Sequence, residues 1–298
     1  MKEVSVQAKS LGPIALRALS HSNSGEVKAV FDHAFYIVIG QEWICIGDST
    51  LPAGPLNVQL LDFLPSSGIR NLITVGSFVS NGPRLRVGKN FVIDTDRSTH
   101  WRPPRVSKFQ DLSLCSTTCC LDAARSFNIP IDGLAPILRP DEYDTPITII
   151  SRSVINYLHQ LISCHSSVTQ SIEVTKITPL VGLGPGLTPA GDDFLVGMLV
   201  TLRLAGYSKL VNGIWRALVP LIDSRTNAIS AAHLRAAAEG YGSNSLHLLL
   251  KAIFEADIEI MSERISELVA RGHTSGWDAL TGVICTLRAL ADAPILSC

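Results

Sequence analysis

The stretch that decides the fold runs from Val181 to Gly206 and reads VGLGPGLTPAGDDFLVGMLVTLRLAG. Its first half carries glycine at 182, 184 and 186, then Thr188-Pro189, then the acids Asp192 and Asp193. Its second half places Phe194, Leu195, Met198, Leu199, Leu202 and Ala205 at helical spacing, and Gly206 is a good stop. A loop therefore gives way to a helix near Thr188. A threonine hydroxyl suits the N-cap, and proline suits the first helical position, where its missing N–H costs nothing. These residues predict that Thr188 caps a helix starting at Pro189, with the glycine loop at the floor of a pocket.

Working outward, the chain changes character in both directions. Towards the C-terminus, helix patterns follow at Lys209 to Ile222, Asn227 to Glu239, Ser245 to Ala256, Glu259 to Ala270 and Ser275 to Ala291. On the N-terminal side, Ile172 to Val181 reads as a strand entering the loop. Lys108 to Asn128 and Ser151 to Ser163 read as helices, joined by an irregular 129–146 connection. The first third is different again. Val27 to Phe31, Ala34 to Ile39, Trp43 to Ile46, Leu56 to Leu60, Asn71 to Val75, Arg84 to Val87 and Phe91 to Ile93 are short β-branched or aromatic runs. Gly40-Gln41-Glu42 suits a hairpin, and the double proline at 103 and 104 ends the β pattern. The expectation is an α+β protein, with a β-rich domain over 1–104 and a mainly helical domain over 105–298.

Charge and composition narrow the function. The 298 residues carry a formal net charge of -1, and 46% are apolar. No concentrated basic patch offers itself to phosphate backbones, which argues against nucleic acid as a partner. No apolar run is long enough for a membrane span, and residues 1–19 lack the pattern of a signal peptide. Seven cysteines do not make a dense disulfide framework, so the expected compartment is the reducing cytoplasm. Cys115, Cys119, Cys120 and the Cys164-His165 pair contain no CxxC spacing and read as ordinary small apolar residues.

The glycine loop has chemistry of its own. Backbone amides at Gly184, Gly186 and Leu187, beside a helix N-terminus and with Thr188 and Gly191 at its entry, form a natural anion site. It is neither a P-loop, since the lysine is absent, nor a dinucleotide fingerprint. Asp192 and Asp193 would repel a bare phosphate. Either they hold Mg²⁺ that meets the anion, or they accept from substrate N–H groups. Successive helical residues point about 100° apart, so only one of the two can face the ligand directly. The competing reading is a tight turn with ordinary first-turn acids.

Two more segments stand out. Arg271-Gly-His-Thr-Ser-Gly-Trp-Asp278 joins two helices, with Thr274 or Ser275 as cap. His273 there is a candidate general acid or base, set against a merely exposed capping loop. Thr226, Ser230 and His233 share a helical face with Asn227 beside it, either lining a pocket or facing water.

Taken together, the glycine loop, Thr226 to Gly240 and Gly272 to Asp278 resemble the bacterial AllH-like family, which includes a subunit of the oxamate carbamoyltransferase of anaerobic allantoin breakdown. The resemblance covers mainly residues 180–298. Serine is usual in that family where this chain has Ala190, and threonine where it has Asn227, departures that bear on substrate preference. The resemblance implies a small anionic substrate, partner subunits in a three-part assembly, and carbamoyl transfer between oxalurate and phosphate in purine catabolism. On that reading His273 with Asp192 and Asp193 would be catalytic. Gly184, Gly186, Leu187, Thr188, Gly191, Thr226, Asn227, Ser230 and Ser275 would bind substrate, and Mg²⁺ would be a possible cofactor. The alternative is a non-catalytic ligand-binding or scaffolding subunit, since no nucleophile–base pair occurs at short spacing.

Overall fold

The computed structural model describes residues 3–61, 68–106, 114–139, 144–163, 172–270 and 272–292. The chain divides into two compact units, Met1–Pro103 and Pro104–Cys298. The protein is α+β.

Among its described residues, the first unit is a sheet of nine strands. In chain order they are β1 (Val4–Leu11), β2 (Ser24–Val30), β3 (Ala34–Ile39), β4 (Glu42–Gly47), β5 (Asn57–Leu60), β6 (Phe78–Asn81), β7 (Leu85–Val87), β8 (Phe91–Asp94) and β9 (Thr99–His100), with the helix α1 (Pro13–His21) after β1. The sheet order is β5-β4-β3-β2-β6-β7-β8-β1-β9, and β1 also pairs with β5, which closes a barrel. Strand β1 shifts register against β5 between Ala8 and Ser10. Its Val4 to Gln7 segment runs parallel to β8, while Ala8 to Leu11 runs antiparallel to β5. Closure pairs β5 with β1, and the two-residue β9 adds to β1 alone.

Period-two alternation fills the interior. In β3, Phe35, Ile37 and Ile39 are buried, whereas Ala34, Tyr36 and Val38 are only partly so. Phe35 meets Phe91 edge-on, ring centroids 6.2 Å apart. Gly40, at φ 61°, makes the two-residue turn that pairs Ile39 with Glu42.

Three readings of this region change. Asn71 to Val75 is not a strand. Residues Ile69–Asn71 form a short 3-10 turn, and the buried Ile69 and Ile73 point the apolar residues inward without a ladder. Strands β1, β6 and β9 escaped notice, as did α1. Their apolar residues are few or broken by polar ones that the barrel turns outward.

The second unit is helical: α2 (Leu114–Arg125), α3 (Pro146–Ser163), α4 (Val174–Ile177), α5 (Ala190–Leu204), α6 (Ser208–Arg225), α7 (Ala228–Ala238), α8 (Asn244–Phe254), α9 (Ile258–Val269) and α10 (Ser275–Ala291). Ile172 to Val181 is not a strand either. It forms α4 and a following 3-10 turn, Thr178–Leu180, whose inward residues are Ile177 and Leu180. Helix α3 starts at Pro146, five residues before the apolar pattern suggests, because proline is welcome in a first turn.

Helices α5 and α10 form the centre. Both are buried on nearly every face, and small residues let them cross closely. A Cβ on Gly197 would lie 2.1 Å from the Ala279 carbonyl oxygen, and one on Gly282 would lie 2.1 Å from that of Phe194. Helices α3, α7 and α9 pack around this pair. Cys120 belongs to the same core and is fully buried, as an apolar residue would be. Cys164, His165 and the side chain of Cys115 lie outside the described residues. Among the described residues, no helix is long and apolar enough to cross a membrane.

Candidate functional site

The glycine loop is built by steric necessity. Gly182 sits at φ 72°, and a Cβ there would lie 2.0 Å from the Arg225 carbonyl oxygen. At Gly191 a Cβ would lie 1.9 Å from the Leu180 carbonyl oxygen. These two glycines let the loop and the first turn of α5 press against neighbouring backbone. Gly184 and Gly186 also have positive φ, 107° and 97°. The Gly191 amide donates to the Leu183 carbonyl at 2.9 Å. The amides of Gly184, Gly186 and Leu187 meet no acceptor among the described residues. Beside the loop, Pro179, Val181, Gly182, Leu183, Ser224 and Arg225 line an open depression of about 610 Å³.

Thr188 does not cap α5. The helix begins at Ala190 and Pro189 occupies the cap, at φ -56° and ψ 144°, with no side-chain cap bond. The Thr188 hydroxyl is engaged elsewhere, 2.8 Å from the Ser275 hydroxyl at the start of α10. Proline takes the cap because the Asp192 and Asp193 amides donate to its carbonyl, at 2.9 and 3.0 Å. Neither Thr274 nor Ser275 caps α10 through its side chain; Thr274 is the cap residue but only its backbone contributes.

The two acids part ways, as helical geometry requires. Asp192 is 1% exposed and turns into the protein. Its Oδ1 accepts from the Gly182 amide at 2.8 Å, and its Oδ2 accepts from the Ser230 hydroxyl at 2.6 Å and from the Thr226 hydroxyl. Three donors therefore engage its two oxygens. Asn227 has a similar brace-like part. Its Oδ1 accepts from the Ile229 and Ser230 amides and caps α7, while its Nδ2 donates to the Leu187 carbonyl at 2.9 Å. Thr226, Asn227 and Ser230 thus hold the loop, the start of α5 and the start of α7 together. His233 continues their helix but joins none of these bonds. Burial pushes its pKa down to about 4, so it is neutral there.

Asp193 faces the other way, towards α10. As a residue it is half-buried, but its Oδ2 is shielded from solvent and has no hydrogen-bond partner. Burial raises its pKa well above the ordinary carboxylate range. The Ser275 and Thr188 hydroxyls oppose that, and the Asp278 and Asp192 carboxyls add to it.

Asp278 is fully buried at the start of α10. Its Oδ1 accepts from the Leu134 amide at 2.6 Å, and its Oδ2 is also buried and unpartnered. Burial pushes its pKa up to about 6, against the hydrogen bonds from Leu134 and Thr274. Gly133 makes the approach possible: at φ 72°, a Cβ on it would lie 2.4 Å from Asp278 Oδ1.

His273 stands apart. Its side chain is 83% exposed, and its Nε2 lies 3.4 Å from Asp132 Oδ2. No three His, Cys, Asp or Glu side chains gather as a metal site among the described residues.

Residues 180–287 match the family described as oxamate carbamoyltransferase subunit AllH. The matched segment begins just before the glycine loop and ends within α10. It therefore holds every bond described here between the loop, α5, α7 and α10, while the β unit and the Asp132-Gly133-Leu134 turn lie outside it. No solved structure matches the chain.

Asp278 is the site residue that sequence reasoning missed. It closes the quoted Gly272 to Asp278 segment, yet nothing local distinguishes it from an ordinary first-turn acid. Its signal was its neighbours, an acid enclosed between Trp277 and Ala279 in a nearly all-apolar helix.

Proposed function

We propose that the chain is a subunit of an oxamate carbamoyltransferase-like enzyme in purine catabolism, and that its helical unit carries part of the site for a small anionic substrate. The observation that carries this reading is the Thr188–Ser275 contact inside the AllH segment. It draws the glycine loop and the first turn of α10, remote in sequence, onto one surface. In the proposed reaction, oxalurate and phosphate give oxamate and carbamoyl phosphate. Phosphate needs a cradle, and the amides at Gly184, Gly186 and Leu187 supply donors of the right kind next to a helix N-terminus. The developing charge on the carbamoyl oxygen needs donors too, for which the Thr188 and Ser275 hydroxyls are placed.

Asp192, Thr226, Asn227 and Ser230 serve this site by holding its backbone in shape. Partner subunits would complete it, as the name of the matched family suggests.

The test is reconstitution. The chain, combined with the other subunits of such an enzyme, is assayed for carbamoyl phosphate formation from oxalurate and phosphate. Turnover that needs this chain and falls when Gly186→Val is introduced supports the reading. Full turnover without the chain would sink it, as would unchanged turnover with the blocked loop.

A further inference from the structure

We infer that the cleft between α3 and the C-terminal half of α10 is a binding site for a small organic monocarboxylate with an apolar body. This second site is independent of the carbamoyl-transfer reading and separate from the glycine loop.

Helical periodicity builds its walls. On α3, Arg152, Ile155, Asn156 and His159 fall at intervals of three and four, so they share one face. On α10, Cys285 and Arg288 are three apart, and Asp292 follows four residues later at the helix end. With a rise of about 1.5 Å per residue, the stretch from Ser275 to Arg288 keeps this cleft about 20 Å from the glycine-loop end of the helix.

The two faces do not close on each other. They enclose a cavity of about 450 Å³, within the span of about 300–1,000 Å³ usual for small-molecule sites. Ile137, Ile155 and Cys285 give it an apolar lining. Cysteine is small where the adjoining α10 residues are Ile284 and Leu287, and that difference in bulk leaves room between the helices.

Hydrogen bonds hold the cavity open in advance. Ile137 lies in the 3-10 turn Ala135–Leu138, whose Leu138 carbonyl accepts from Arg125 Nε at 2.9 Å. Ser163 Oγ donates to the Ala289 carbonyl at 3.0 Å and fastens the end of α3 to α10. His159 Nε2 lies 3.0 Å from Asp292 Oδ2 at the same end. A shape fixed before the ligand arrives lowers the ordering cost of binding.

Charge then selects the ligand. Arg288 is exposed and has no ion pair among the described residues. Arg152 pairs with Asp144, but both are exposed, and so weak a pair lets the guanidinium exchange one carboxylate for another. Asn156 adds an amide donor. Asp292, the acid that lines the cavity, is turned onto His159. The balance favours a single negative charge, and a planar guanidinium fork matches a carboxylate. Inorganic phosphate would leave the apolar lining unused, and a neutral hydrocarbon would leave Arg288 unused. A carboxylate carrying a ring or a short chain uses both.

The test uses the full chain, with benzoate as the probe. Methyl NMR of isoleucine-labelled protein locates binding, with Ile137→Val and Ile155→Val assigning the two cavity methyls. Benzoate should shift both methyls. Acetate, which lacks the apolar body, and benzamide, which lacks the charge, should each bind at least about 10-fold more weakly, and phosphate should leave both methyls in place. Arg288→Gln, at an exposed position, should weaken benzoate binding about 10–100-fold, the size of one charge-assisted hydrogen bond. Arg216→Gln removes the same charge from the exposed face of α6 and should leave the affinity unchanged. Cys285→Phe fills the lining and should abolish the shift at Ile155.

Unmoved cavity methyls in the unaltered protein would overturn the site, and that measurement needs no variant to fold. Shifts confined to Ile229, beside the glycine loop, would place the carboxylate there and overturn it equally. Benzamide binding as tightly as benzoate, or unchanged affinity in Arg288→Gln, would overturn recognition by charge. None of these outcomes bears on carbamoyl phosphate formation, so failure of this site leaves the carbamoyl-transfer reading to its own assay.

Discussion

Thr188 Oγ1 lies 2.8 Å from Ser275 Oγ, a contact between residues 87 apart in sequence that joins the entries of the two central helices. Neither hydroxyl caps its own helix. A residue type suited to capping is used instead to tie two helix starts together, and both hydroxyls also act on the Asp193 carboxyl.

Removing that tie should show coupling. Thr188→Val and Ser275→Ala each break the same hydrogen bond, whose net contribution is about 0.5–1.5 kcal/mol. In a double-mutant cycle the second substitution should cost less by about that amount, because the bond is already gone. Chemical denaturation of the four proteins measures it. Strictly additive losses would mean that the two hydroxyls do not interact in solution.

Asp192 should behave as a structural residue. Asparagine at this position retains one acceptor oxygen but loses the charge that strengthens the bonds from Gly182, Thr226 and Ser230. Asp192→Asn should therefore destabilise the protein by about 1.5–3 kcal/mol, and Asp192→Ala by more, since it orphans buried donors. Urea titration reads both. An Asp192→Asn protein as stable as the original would remove the bracing role.

Much of this architecture is legible in the sequence, for identifiable reasons. Helices α5 to α10 declare themselves because long apolar periods such as Phe194 to Ala205 permit only one structure. The loop at 182–188 is equally plain, since closely spaced glycines before Thr-Pro cannot continue a regular element. Asn227 reads as adjacent to a polar face, and capping α7 is the local expression of that position. What the sequence hides is long-range. Asp192 and Asp193 are identical in type and adjacent, yet one is fixed by α7 and the other looks towards α10. Local spacing says that they must diverge but not which way. The Leu134 amide that meets Asp278 is 144 residues away, and Gly133 matters only because that carboxyl presses on it. Strand β1 is obscure for a similar reason. Its Ser5, Gln7 and Lys9 interrupt the apolar pattern, and only barrel closure explains why its two halves pair with different strands.

The close crossing of α5 and α10 predicts a sensitive glycine. Alanine is the better helix former, so Gly197→Ala should stabilise an isolated helix by up to about 1 kcal/mol. In the protein its Cβ would meet the Ala279 carbonyl oxygen at 2.1 Å, and backbone cannot rotate aside as a side chain can. Forced separation of packed elements costs about 1–3 kcal/mol. The expected outcome is a net loss of stability. A Gly197→Ala protein with raised melting temperature would contradict the packing described.

The pH dependence of stability follows from the Asp278 carboxyl. Its ordinary value is 3.8 and burial lifts it to about 6 in the folded protein. Between those values the native state binds more protons than the unfolded state, so this group's stabilising contribution falls as pH rises. It is fully present below about pH 4 and lost by the time pH passes the folded value. Asp193, raised well above its ordinary range, has the same sign. Asp48 has the opposite sign: burial would raise it, but hydrogen bonds from Thr50 and His33 hold it low, so its contribution is lost as pH falls. Because Asp48 is common to all variants, a comparison cancels it. Asp278→Asn keeps an oxygen for the Leu134 amide and removes the ionising carboxyl. Relative to the original protein, this variant should gain stability steadily from about pH 4 to above pH 6 and hold that gain at pH 8. Thermal melting of both proteins across pH 4–8 makes the comparison. Parallel curves would show that Asp278 ionises at its ordinary value, and a variant losing ground as pH rises would show that its carboxylate is stabilised rather than penalised in the fold.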